Sequence, residues 1–194
     1  LVDRSLDDGF AGPWREGVCG GATGTVLELG FGSGRTLPYY PAAVTEVLAV
    51  DPSDLSWELA GERIAASTVP VTRLGVDGAA LARADASADT VVSTWALCTI
   101  PDLEGALAEV VRVLRPGGTL RFVEHSLAPG ARMALAQRLV QPAWGLVSGG
   151  CHVDRDITGR MRAAGLRVST THEGYLEGAT SPASWFVMGS AHPA

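Results

Sequence analysis

Lysine and asparagine are both absent from this 194-residue sequence, so all fifteen basic side chains are arginine. Set against twenty-one acidic residues, they leave a net charge of −6 and no basic surplus to neutralise phosphates. Nucleic acid and anionic membrane surfaces are therefore not expected partners, and a small-molecule substrate fits better. Long hydrophobic runs are missing too: no stretch reaches the length of a membrane span, and Leu1–Arg4 has no signal-peptide character. Membrane contact is not expected. Leu1 in place of a start methionine leads us to expect that the native N-terminus is not included. Cysteine is scarce. Cys19, Cys98 and Cys151 are odd in number and lack the short paired spacing of a zinc site or a disulfide framework. They read as reduced thiols of a cytoplasmic protein, with no metal. The missing lysine and asparagine, beside abundant alanine, glycine and arginine, read as the codon bias of a GC-rich genome.

What is present is globular: 46% hydrophobic and 19% charged residues, over a length that suits one domain. From Thr25 short apolar runs alternate with amphipathic ones, the pattern of a parallel sheet with crossover helices. Strands are expected at Thr25–Leu29, Val47–Val50, Val71–Val76, Thr90–Thr94, Thr119–Glu124, Leu166–Thr171 and Trp185–Ser190. Helices are expected at Arg35–Tyr40, Ser56–Ala66, Leu103–Leu114, Arg132–Val140 and Asp154–Ala164. Leu103, Leu107, Val110, Val111 and Leu114 recur at helical spacing and mark the clearest of these. Pro116-Gly117-Gly118 is expected to end it and turn the chain. The segment Gly174–Pro182 reads as a hairpin or a long loop. The fold class is α/β: a Rossmann-like, doubly wound, mostly parallel seven-stranded sheet with helices on both faces. Residues 1–194 form one domain, with a cofactor half over about 20–125 and substrate-side elements over about 126–194.

Strand one runs into Glu28-Leu29-Gly30-Phe31-Gly32-Ser33-Gly34, a loop whose glycines let a ligand approach the backbone. A plain structural turn is the alternative. A carboxylate such as Glu28 would repel a dinucleotide pyrophosphate at this place, whereas it suits a ligand carrying ammonium and sulfonium charges. The second strand ends in Asp51-Pro52, about 17 residues after the loop, where such folds hold a ribose diol. Asp51 could equally cap the turn before Ser53. Asp77 and Gly78 follow the third strand and are assigned to the adenine, with a surface turn as the alternative. Thr94 and Trp95 at the end of the fourth strand complete the expected cofactor set.

Glu28 through Gly34, Val50-Asp51, Asp77-Gly78, Ser87–Val92 and Leu114–Gly118 together resemble the class I S-adenosylmethionine-dependent methyltransferases in order and spacing. A narrower set, Leu37–Pro41, Ala96–Ile100, Val123–His125, Gln141–Trp144 and Gly149–His152, is similar to the branch containing the alkyl thiol methyltransferases and their bacterial relatives. The resemblance implies S-adenosylmethionine as cofactor and a small, partly apolar acceptor, a thiol first. Quinone C-methylation or phospholipid-headgroup N-methylation is the runner-up within the class. A nicotinamide-dependent oxidoreductase and a non-catalytic cofactor-binding protein are the readings from outside it.

Methyl transfer from a sulfonium asks the protein for alignment, water exclusion and sometimes a base. His125, expected at the rim after strand five, is the first candidate base, and His152 in the following Gly-rich segment is the second. Tyr39, Tyr40, Cys98 and Trp144 are assigned to the acceptor pocket, with core packing as the alternative for each. A monomer or homodimer is expected.

Overall fold

In the computed structural model, which describes residues 7–176 and 179–194, the expected sheet forms with all seven strands. They are β1 (Gly24–Leu29), β2 (Val44–Val50), β3 (Val71–Gly75), β4 (Ala88–Thr94), β5 (Leu114–His125), β6 (Leu166–Tyr175) and β7 (Trp185–Pro193). The spatial order is β3-β2-β1-β4-β5-β7-β6. The first five strands pair in parallel, and β7 runs antiparallel between β5 and β6. The chain reverses its direction of travel between β1 and β4, which opens a crevice at their carboxyl ends.

Strands buried on both faces need near-continuous apolar sequence. Val26, Leu27 and Leu29 in β1, Val91 and Val92 in β4, and Leu120, Phe122 and Val123 in β5 supply it, and all are fully buried. The helix expected at Leu103 is α3 (Leu103–Val113), capped by the Asp102 carboxylate accepting from Gly105 N at 2.9 Å. Its buried stripe includes Leu103, Leu107 and Val110. Val111, assigned to that stripe, is only partly buried, and Val113 takes the inner position.

Several boundaries differ from expectation, each for a local reason. Helix α1 (Asp8–Cys19) was not anticipated, because Gly9, Gly12, Pro13 and Gly17 weaken its propensity. Phe10, Trp14 and Val18 nevertheless recur every fourth residue, and Asp7 caps the first turn. Instead of a helix over Arg35–Tyr40 there is one 3-10 turn, Leu37–Tyr39, hemmed in by Pro38 and Pro41. Helix α2 (Asp54–Ala66) begins earlier than Ser56 because Ser53 caps it. Strand β5 starts directly at Leu114, so Pro116-Gly117-Gly118 lies inside it.

Helix α4 (Ala131–Val147) runs through Pro142 rather than stopping at Val140. Its second half is tethered by Gln141, which donates to Cys151 O at 3.1 Å and accepts from Val153 N at 2.9 Å. Helix α5 (Ile157–Ala163) starts after Asp156, whose carboxylate accepts from Gly159 N. Strands β6 and β7 are joined across the segment read as a loop or hairpin, and residues 177–178 of it lie outside the described residues. So does the opening Leu1–Arg4. Among the described residues no helix is long and apolar enough to cross a membrane.

Candidate active site

A cleft of about 380 Å³ lies at the carboxyl ends of β1, β2 and β4. The loop after β1 forms its floor through Gly30, Phe31, Gly32 and Ser33. Gly30 has φ +69°, and a Cβ there would stand 2.4 Å from the Ala96 Cβ. Only glycine accepts both the left-handed backbone and that approach. At Gly32, with φ +58°, an added Cβ would meet nothing nearer than Gly30 O at 3.8 Å, so its surroundings are open.

Asp51 lines the cleft and also braces it: one carboxylate oxygen accepts from Gly32 N, the other from Ser53 N, both at 2.8 Å. The turn-capping alternative for Asp51 is thus realised, in a side chain that also lines the cleft. Thr94 and Trp95 form the opposite wall. Trp95 has φ +55°, an unusual conformation for a bulky residue, held by its N–H donating to Val123 O at 2.8 Å.

The rest of the assigned cofactor set lies elsewhere. Glu28 is fully buried behind the loop, and its carboxylate accepts from Thr36 Oγ1 at 2.7 and 2.9 Å and from Tyr40 Oη at 2.8 Å. Burial pushes its pKa up to about 7, against the lowering effect of the Thr36 and Tyr40 hydrogen bonds. It braces the loop and does not line the cleft, so the charge argument built on it does not apply. Charge in the cleft comes from Asp51 and from Arg15 and Arg35, two guanidinium groups that sequence reasoning missed. Arg15 is presented by α1, where it pairs with Asp8 at 3.0 Å.

Gly34, at φ +74°, packs against Phe31 and Leu37 as a turn residue. Pro52 is exposed. Asp77 is exposed and accepts from Ala79 N at 2.9 Å, the turn alternative, while Gly78 packs between Leu29 and Ile100.

The assigned acceptor and base residues fall behind or away from the cleft wall. Tyr40 serves Glu28, and the Tyr39 hydroxyl abuts Gly12 of α1. His152 lies beside a separate, shallow depression with Gln141 and Asp154, its Nδ1 3.2 Å from Gln141 Nε2. Cys98, His125 and Cys151 come together instead, with Trp144 ring-to-ring against His125 at 6.3 Å. The Cys151 Sγ is 3.4 Å from both Cys98 Sγ and His125 Nδ1. The Cys151 thiol is pushed down, first by its hydrogen bond with Cys98 and then, against burial, by His125. Cys98 is pushed up, by that same hydrogen bond and by burial.

The turn carrying Cys98 is clamped from both sides. Buried Glu124 accepts from Ser93 Oγ at 2.6 Å and from the backbone N–H groups of Ala96, Leu97 and Cys98 at 3.0 to 3.1 Å. Arg155 donates to the carbonyls of the same turn, most closely Ile100 O at 2.7 Å. Desolvation by burial raises the Glu124 pKa despite these donors, and lowers that of Arg155. The flanking Ala96 and Thr99, with Ser148 and Gly149 opposite, form the far end of the cleft. Clamping by distant residues leaves no local motif, and sequence reasoning gave Glu124 and Arg155 no role.

Residues 27–122 match the family described as "Methyltransferase domain". A protein named thiol S-methyltransferase TMT1B from Rattus norvegicus is 34% identical over 171 residues, which cover 85% of this chain and 67% of that protein. The chain belongs to the S-adenosylmethionine-dependent methyltransferases. The human protein of the same name is 37% identical over 70% of this chain and 58% of its own length, so the chain spans little more than half of it. A solved S-adenosylmethionine-dependent methyltransferase from Mesorhizobium loti superposes with a TM-score of 0.67 at 18% identity, over 92% of this chain and 95% of that one, which shows the shared fold.

The cleft residues fit this cofactor. The positive-φ glycines leave the backbone accessible, Asp51 presents a carboxylate to the cleft, and Arg15 and Arg35, both ion-paired with Asp8, add cationic charge to its lining.

Proposed function

We propose that this methyltransferase acts on a small, partly apolar thiol. The observation that carries the reading is the 34% identity to a thiol S-methyltransferase, which covers 85% of this chain and so extends past the cofactor half into the acceptor side. When bound, the cofactor supplies a methyl group already activated by its sulfonium. Asp51, the β1 loop and the Arg15 and Arg35 guanidinium groups hold and orient it. Trp95, which lines the cleft and whose N–H is held by Val123 O, is the side chain placed to exclude water from the line of attack. A thiol acceptor ionises appreciably near neutral pH, so it asks less of a base than a phenol or alcohol would.

Labelled S-adenosylmethionine incubated with thiols, phenols and amines tests this. Transfer to thiols at a kcat/KM at least about tenfold above the other classes is expected, and turnover of phenols or amines alone would remove the thiol reading. A lipid-linked acceptor, quinone or phospholipid headgroup, is the second reading. It is favoured by α4, which exposes Leu135, Leu139, Leu146 and Val147. Sedimentation with phospholipid vesicles, together with transfer to lipid and none to free thiols, would favour it.

A further inference from the structure

Cys98, His125 and Cys151 are brought together from positions 26 to 53 residues apart. Their ligand atoms all lie within 4.8 Å of one another. We propose that these three side chains form a Cys2His site for a zinc-class cation, with a fourth coordination position left for an outside ligand.

The geometry carries this. A tetrahedral zinc with bonds of about 2.3 Å to sulfur and about 2.0 Å to nitrogen separates two sulfurs by about 3.8 Å and a sulfur from a nitrogen by about 3.5 Å. Here the two sulfurs are 3.4 Å apart, and His125 Nδ1 is 3.4 Å from Cys151 and 3.9 Å from Cys98. All three spacings sit within about 0.4 Å of the tetrahedral values, so a cation enters with small side-chain adjustments. Two thiolates and an imidazole are the donors that select soft and borderline metals over magnesium or calcium.

The surroundings are built as metal sites are built. Both cysteines are buried, and the Cys98 backbone is fixed by Glu124 at its N–H and by His152 N at its carbonyl, 2.8 Å away. The His125 ring is packed on Phe186 at 4.4 Å between centroids. Such outer contacts hold ligands in the binding geometry. Disulfide formation would need the sulfurs to close from 3.4 Å to about 2.05 Å and would need an oxidant.

Three protein ligands with one open position is the arrangement of catalytic rather than structural zinc. Thr99 and Gly149, which stand close to Cys98 and Cys151 in sequence, line the cofactor cleft. An acceptor thiol reaching the cation would bind it through its sulfur as thiolate, its proton passing to bulk water. This last step rests on the thiol reading above, whereas the metal site does not.

The test uses the whole chain, purified under reductant and compared with Cys98→Ser, Cys151→Ser and the double variant. About one zinc per chain by elemental analysis is expected for the wild type, with at least about tenfold weaker retention in the double variant. Cobalt(II) replacing zinc should give thiolate-to-cobalt charge transfer and intense tetrahedral d–d absorption, both lost in the variants. Should a variant fail to fold, chelator-stripped wild type decides: zinc added back is expected to raise its unfolding temperature. Cobalt spectra without thiolate bands, zinc no more tightly held by wild type than by a folded variant, or no response of the stripped wild type would overturn the site. A small thiol added to the cobalt form should shift its absorption, and an unchanged spectrum would overturn the open position. Cobalt–thiolate bands in a protein that methylates no thiol would sink the thiol reading alone.

Discussion

The two ends of the cleft are made in opposite ways. The cofactor end is written in a few contiguous residues: Gly30 to Ser33 on one loop, with Asp51 at the tip of the adjacent strand. The far end is assembled by tertiary clamps, with Glu124 and Arg155 gripping the turn that carries Cys98 from its two sides. Backbone conformation therefore governs the first end, and buried charge governs the second.

Breaking the clamp should have the largest effect. Glu124→Ala leaves the Ser93 hydroxyl and three buried N–H groups without their acceptor, and denaturant unfolding should report a loss of about 3–5 kcal/mol. Gly30→Ala attacks the other end. Its methyl meets Ala96 and its backbone is forced to φ +69°, so calorimetric titration with S-adenosylhomocysteine should show binding at least about 100-fold weaker, roughly 3 kcal/mol. Gly32→Ala, with strain but no clash, should lose only about tenfold. Equal losses in the two glycine variants would remove the steric argument.

Glu28 sharpens the comparison through pH. Its pKa rises from 4.5 to about 7 on folding, so the folded chain holds this proton more tightly than the unfolded one. The contribution is complete below about 4.5 and is lost as pH climbs through about 7, up to about 3 kcal/mol in all. Glu28→Gln should flatten that slope in urea titrations between these pH values, and a slope unchanged from wild type would contradict the assignment. Tyr40→Phe removes one of Glu28's donors and should cost about 1–2 kcal/mol near pH 8, comparable with the roughly tenfold loss in Gly32→Ala.

The same contrast explains what could be read from sequence. Strands β1, β4 and β5 and helix α3 were legible because burial imposes continuous or 3.6-residue apolar patterning. The placement of the glycine loop and Asp51 at the cleft was legible because it depends on backbone form and position along the chain. Glu28 was assigned to the right loop but to the wrong side of it, since a residue number does not tell which face a strand-end side chain takes when Thr36 and Tyr40 can reach it. Helix α1 hid behind its glycines and proline, and with it Arg15. The convergence of Cys98, His125 and Cys151 left no spacing to recognise, because three different connections fold it together.

The most direct test of the account is a calorimetric titration of the wild type and Asp51→Ala with S-adenosylhomocysteine, with a nicotinamide dinucleotide as the comparison ligand. Saturable binding of the thioether, weakened at least about tenfold by the substitution, and no binding of the dinucleotide is the predicted result. Dinucleotide binding as tight as that of the thioether, or a thioether affinity indifferent to Asp51, would contradict the placement of the adenosyl group in this cleft.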